Sequence, residues 1–101
     1  MIIYNLTIKV ADAIQTEWLT WLKEEHVPDV LATKCFSKAT ILHLLETDDS
    51  DGSTYAIQYS AESMDDYKRY IDEFAPVMRQ RSFDCWGDQF IAFRSILEVV
   101  N

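Results

Sequence analysis

The feature that most constrains this chain is the order in which its hydrophobic period changes. Residues 2–10 alternate, with Tyr4, Leu6, Ile8 and Val10 on one side and Ile3, Asn5, Thr7 and Lys9 on the other. A period of two marks a half-buried strand. From Ala13 to about His26 the period becomes helical, with Asp12 placed as an N-cap. At ~100° per residue, Ile14, Trp18, Trp21 and Leu22 share one face. Pro28 has no N–H for the Glu24 carbonyl and crowds it, which predicts a kink or restart. A short turn through Val30 and Leu31 then leads into a second strand from about Ser37 to Glu46. Its apolar centre, Ile41-Leu42-His43-Leu44-Leu45, predicts at least partial cover on both faces.

A polar loop over residues 47–53 precedes a third strand, Thr54 to Ala61, in which Tyr55, Ile57 and Tyr59 face one way and Ala56 and Gln58 the other. Ser63 and Asp66 have the spacing of a capping box, with Asp shorter than the usual Glu. The helix that follows carries Tyr67, Tyr70, Ile71, Phe74 and Met78 on one stripe, is interrupted at Pro76 and stops at Gly87. A fourth strand runs from Gln89 to Val100.

The resulting order, βαββαβ, predicts an α+β, ferredoxin-like protomer: a four-stranded antiparallel sheet of order 4-1-3-2 with two helices on one face. The 101 residues suffice for one domain with one core. Helices on one side leave the other side of the sheet bare. That face is expected to carry Asn5, Thr7, Gln58 and Arg94, interspersed with Ile3, Ala56, Ala92 and Ile96. It is too apolar for full solvation and too polar for a dry core, so it suits a homodimer interface. Cys35 and Cys85 fall at the starts of strands two and four, at opposite ends of the sheet, and read as free thiols.

Charge narrows the partners. Seventeen acidic residues against nine basic give a net charge of −8, which repels polyanions and makes nucleic acid and anionic membrane unsuitable. No apolar run reaches the roughly 20 residues of a membrane span. The first residues read as a strand rather than a leader peptide, so a cytoplasmic location is expected. The basic residues are unevenly placed: Lys68, Arg69, Arg79 and Arg81 share one helical region and Arg94 lies in the last strand.

Three stretches together resemble a known superfamily. They are Trp18-x-x-Trp21-x-x-x-x-His26-x-Pro28, Tyr70 to Met78 with Ala75-Pro76, and Gly87-Asp88-x-Phe90-x-Ala92-Phe93. Across all four strands the chain resembles the dimeric α+β barrel superfamily and, within it, a small uncharacterised bacterial family. The resemblance implies a homodimer. It does not select an activity, because that superfamily includes cofactor-free monooxygenases, small isomerases, ester- and ether-degradation accessory proteins, haem-handling enzymes and stress proteins.

Candidate site residues follow from the pattern. His26, beside the Pro28 kink, is placed to act as a base or ligand contact, or else to cap carbonyls freed by the proline. Glu25, at about 20° from Ile14 on a regular helix, would be desolvated with a raised pKa unless the kink turns it outward. His43, within an apolar strand, faces ligand space, the dimer interface or an edge, or else is packed and hydrogen-bonded in the sheet. Asn5 offers an amide to polarise a substrate oxygen. Trp18, Trp21, Trp86 and the tyrosines of the second helix, Tyr67 and Tyr70, floor an aromatic pocket or fill a core, and Arg94 is a further ligand-binding candidate. The loop Asp49-Ser50-Asp51-Gly52 only hints at calcium, since Gln58 stands where a bidentate Glu belongs. No glycine-rich nucleotide loop and no metal spacing is present, so no cofactor is expected. The reading these features support is a small-molecule binder for a small apolar or aromatic ligand, extending to a cofactor-independent monooxygenase- or isomerase-like enzyme. The alternative is a non-catalytic homodimeric interaction module. A cavity of roughly 300 Å³ or more, lined by both His26 and an aromatic side chain, distinguishes them.

Overall fold

The computed structural model describes residues Met1–Asn101. Strand β1, Ile2–Ala11, pairs antiparallel with β3, Gly52–Ala61, on one side and with β4, Phe90–Glu98, on the other; β2, Lys38–His43, completes the sheet beside β3. The order β2-β3-β1-β4 is the ferredoxin-like order expected from the sequence, read from the other edge. Helices cover one face. α1, Gln15–Trp21, and α2, Val27–Ala32, follow β1; α3, Met64–Glu73, and α4, Ala75–Trp86, follow β3.

Pairing at β1 fixes which side chains face the helices. Tyr4, Ile8 and Val10 are buried there, and opposite them on β3 lie Tyr59, Tyr55 and Ser53. Tyr4 is the hub of an aromatic cluster, with Phe36, Tyr67 and Tyr70 centroids 5.9, 5.5 and 5.7 Å away. Such stacked and tilted pairs add to the burial of their large apolar areas. The Tyr67, Tyr70 and Met78 stripe is buried as the helical period requires.

The first helical segment is interrupted and restarts near Pro28, as expected, but it runs on beyond the proline as a helix. Between α1 and α2 lies a π-turn, Leu22–His26, and the Val27 N–H bonds back five residues to the Leu22 carbonyl. This wider turn gives the proline ring room within the first turn of α2. Val30 and Leu31 are therefore helical rather than part of a turn, and Val30 is fully buried. The inserted residue also shifts the helical phase, which places Glu25 in solvent rather than in the core.

Other boundaries follow local chemistry. The Ser63 hydroxyl caps α3 by accepting from the Asp66 N–H at 3.3 Å. The Asp66 carboxylate accepts from the Ser63 hydroxyl rather than from its backbone, as the shorter acid dictates. Pro76, in the first turn of α4, separates the two halves of the second helical segment at Phe74. Gly52 lets β3 approach β1: a Cβ there would stand 2.1 Å from the Val10 carbonyl oxygen. Strand β2 is shorter than expected and largely exposed, with Leu44 and Leu45 beyond its end, so its apolar run is not covered on both faces.

Strand β4 corrects a second expectation. Tyr4, Leu6 and Ile8 pair with Ile96, Arg94 and Ala92, so these three β4 residues point toward the helices. The open face instead carries Ile91, Phe93, Ser95 and Leu97 beside Ile3, Asn5 and Thr7. Ala56 and Gln58 face that way as expected. Arg94 thus lies on the opposite side of the sheet from the one anticipated. Cys35, in the connection before β2, is buried and Cys85, in α4, is exposed; both are free thiols, and β2 and β4, which they precede, run in opposite directions.

Candidate ligand-binding cavity between sheet and helices

A cavity of about 460 Å³ opens between the sheet and the helices. Its floor is built from residues buried by the fold itself: Tyr4, Ile57 and Tyr59 from the sheet, and Trp18, Leu22 and Met78 from the helices. Its exposed lining residues are Arg79 from α4 and Ala92, Phe93 and Arg94 from β4, so the opening lies between α4 and β4. Thirteen of the seventeen lining residues are hydrophobic, and none is Asp or Glu. An apolar space with a few convergent polar groups is the usual form of a small-molecule site.

The π-turn delivers two of the walls. Trp21 and His26 stack with ring centroids 4.7 Å apart, and Trp86 meets Trp21 edge-on at 5.9 Å. A π-segment often re-aims side chains at functional sites, and here it presents the imidazole to the cavity. Burial drives the His26 pKa down from its ordinary value to about 4, against the opposing pull of Asp29 and with help from Arg81. At neutral pH His26 is a neutral imidazole that both donates and accepts hydrogen bonds.

The tyrosines supply the remaining polarity. Burial raises the pKa of Tyr4, countered by the adjacent Arg79 guanidinium and, more weakly, by Arg94. Burial also raises Tyr59 and Tyr70, so all three phenols remain protonated donors. The Tyr59 side chain is 1% exposed, and its hydroxyl has no hydrogen-bond partner in the protein. A buried hydroxyl left unpaired costs roughly 1–3 kcal/mol.

The structure thus brings Trp18, Trp21, His26 and Arg94 together and leaves three sequence candidates apart. Asn5 lies on the open face, where its amide donates to the Thr7 and Ser95 hydroxyls at 3.1 and 3.3 Å. Glu25 is exposed. His43 stacks on Tyr55 at 4.9 Å near the loop after β2, 3.6 Å from the Asp49 carboxylate. In that loop Asp51 pairs with Lys9 at 2.7 Å, and the Asp48 carboxylate accepts from the Ser50 N–H; no group of three or more metal-ligating side chains forms there or elsewhere. The pattern reading missed Arg79, Tyr4 and Tyr59 as site residues, whereas Tyr70 was among the aromatic side chains it offered. Arg79 had a signal, in that it follows Met78 of the buried stripe and stands three residues before Ser82, another lining residue.

These elements define a ferredoxin-like α+β protein with a cavity under its helical layer. The chain belongs to the family described as Domain of unknown function (DUF4286), whose match covers residues 1–100. Among curated proteins none is similar. Solved structures share the fold. A dimeric ferredoxin-like protein from an uncultured marine organism is 14% identical, with a TM-score of 0.68 over 100% of this chain and 96% of its own. A cofactor-independent oxygenase from Streptomyces nogalater is 8% identical, with a TM-score of 0.62 over 99% and 94%. A monooxygenase from Streptomyces coelicolor, solved with nanaomycin D, is 15% identical, with a TM-score of 0.59 over 99% and 89%. At such identities the likeness is one of fold. No helix of this chain is long and apolar enough to cross a membrane.

Proposed function

We propose that the protein binds a small, flat, largely apolar molecule in the cavity between sheet and helices, and does so as a homodimer. The observation that carries the first part is the cavity itself. Its volume of about 460 Å³ suits a bicyclic or tricyclic ligand, and both His26 and two tryptophans line it. The unpartnered Tyr59 hydroxyl supports the same reading, because a bound polar atom would satisfy it. The fold neighbours described as oxygenases, one of them solved with nanaomycin D, are consistent with a ligand in this layer.

The dimer reading rests on the open sheet face. Phe93 is 68% exposed there and Ile91 59%, beside the hydrogen-bonded Asn5, Thr7 and Ser95. A second copy packed sheet to sheet would cover this mixed surface, and it is Phe93 rather than Arg94 that would anchor it. Burial of at least about 1,000 Å² across the pair is expected.

Catalysis is the finer reading. A neutral His26 beside the bound ligand would accept a proton from an acidic phenol or carbon, as cofactor-independent oxidation or isomerisation requires. Its lowered pKa makes it a weak base, so binding is placed ahead of turnover.

Tryptophan fluorescence tests the cavity. A bicyclic aromatic such as 2-hydroxy-1,4-naphthoquinone should quench Trp18 and Trp21, with a Kd on the order of micromolar to tens of micromolar, and Ser82→Trp, which fills the space, should abolish saturable quenching. Unsaturable quenching that is equal in both proteins would remove the cavity as a binding site. Light scattering at micromolar concentration should give twice the chain mass. A monomer mass would refute the dimer.

A further inference from the structure

We propose that the ligand is an anion: an apolar ring system carrying one carboxylate or phenolate, buried ring-first with its charge held at the mouth between Arg79 and Arg94. This rests on the cavity reading above and adds the chemical class of the ligand. The first support is placement. Arg79 from α4 and Arg94 from β4 come from opposite walls of the opening, and both line the cavity while remaining exposed.

The second support is that neither arginine has a carboxylate partner in the protein: Arg79 meets only the neutral Tyr4 hydroxyl, and Arg94 makes no ion pair. The ion pairs of the chain are Lys9–Asp51, Arg69–Asp66 and Arg81–Asp29, and the Asp49 carboxylate lies 3.6 Å from His43. No acidic side chain lines the cavity, although acids outnumber bases 17 to 9 in the chain as a whole. In so acidic a protein, a mouth with two unpaired guanidiniums and no carboxylate is a local inversion of charge, and such a field draws anions from solution. Guanidinium forks suit carboxylate and phenolate oxygens, which accept paired hydrogen bonds.

The third support is the interior. Tyr4, next to Arg79, remains a neutral phenol and donates rather than accepts toward an anionic oxygen. His26 is neutral at pH 7, so the cationic groups of the site are the two arginines at the rim and none is in the apolar depth. A cationic ligand would be repelled at the entrance. A neutral one would fill the depth and leave the rim unused.

The test compares matched probes on the full chain: 1-naphthoate, its neutral analogue 1-naphthalenemethanol, and the cationic 1-naphthylmethylammonium, followed by tryptophan quenching at pH 7.5. Naphthoate is expected to bind about tenfold more tightly than the carbinol, and the ammonium more weakly than both. Arg79→Gln and Arg94→Gln should each reduce naphthoate binding about threefold to fivefold and leave the carbinol unchanged, and the double variant should erase the preference. Both arginines are exposed, so the variants should fold, and an unchanged melting temperature verifies it. The preference should also shrink as salt rises.

Equal binding of naphthoate and carbinol would leave the cavity reading standing and overturn the anion. A preference that survives in the double variant would overturn the arginines' role and with it this inference. Saturable binding by none of the probes would overturn both readings.

Discussion

β3 and β4 flank the same central strand, pair with it over nearly its whole length, and yet occupy different surroundings. Seven of the ten residues of β3 are buried, whereas none in β4 is. The helical layer lies over β1 and β3 and stops short of β4. The side chains that β4 directs toward the helices, Ala92 and Arg94, therefore border an opening instead of a packed interior. The same sheet supplies a closed floor on one side of β1 and a rim on the other. A strand on the edge of the helical layer is the one free to carry ligand contacts, because its side chains do not hold the core together.

The largest effect expected of this contrast is in stability. Ile57, on β3, is fully buried and lines the floor. Ile57→Ala should cost about 2–4 kcal/mol through lost burial and a residual void. Ile91→Ala, on the open face of β4, should cost under about 1 kcal/mol in the protomer, measured at concentrations where the dimer has dissociated. Urea titration checks both, and similar losses at the two positions would erase the distinction between the strands.

The next effect is a pH dependence at the cavity wall. His26 has a folded pKa of about 4 against an ordinary value near 6.5. The unfolded chain therefore takes up a proton in that interval that the folded chain refuses. His26 contributes no pH dependence above about 6.5, and stability is lost as pH falls from there toward 4, by at most roughly 2–3 kcal/mol. Because carboxylates titrate over part of the same range, the measurement is the difference between the protein and His26→Gln, in unfolding free energy from pH 7.5 to 4. A difference that stays flat would mean that the imidazole is solvated and does not line a desolvated wall.

The β3–β4 contrast also explains which parts of the structure could be read from the sequence. Strand β1 alternates cleanly, and Tyr55, Ile57 and Tyr59 alternate against Ala56 and Gln58, so the topology and the floor were legible. In β4 both parities are apolar: Phe90, Ala92 and Ile96 on one, Ile91, Phe93 and Leu97 on the other. Its two charged residues, Arg94 and Glu98, both fall on the helix-side parity, because that side is open to solvent there. A strand exposed on both faces has no hydrophobic asymmetry to set its phase, and a slip of one residue reverses every side chain. Glu25 was misplaced for a related reason. Regular helical geometry was extended through Leu22–His26, where the π-turn adds a residue. Arg79 was visible only as one of a cluster of basic residues, since its role comes from facing a strand that lies late in the chain.

A smaller effect should arise at the floor. Tyr59→Phe removes a buried hydroxyl that has no partner while keeping the ring that packs against Phe36 at 5.3 Å. The ligand-free protein should become more stable by about 1 kcal/mol, and binding of a polar ligand should weaken. A loss of stability would show that the hydroxyl is hydrogen-bonded in solution, by water inside the cavity.

The smallest stability effect is expected at the rim, and its smallness is what gives it value. Arg94 pairs across the sheet with Leu6, but its guanidinium takes part in no ion pair and the residue is exposed. Replacing it by Gln retains an aliphatic stem over the apolar lining and removes one positive charge from a chain of net charge −8. Loss of that charge adds slightly to the repulsion among the acids, and release of an unpaired guanidinium from the mouth subtracts slightly from it. The expected change in unfolding free energy is within about 0.5 kcal/mol. The same substitution on β3's face, at Ile57, would be ruinous, because no solvent reaches that position. Urea unfolding of Arg94→Gln, run beside Ile57→Ala, therefore measures how far the helical layer extends over the sheet. A loss above about 1.5 kcal/mol would mean that Arg94 is packed and hydrogen-bonded by the fold, and that the opening between α4 and β4 is closed in solution.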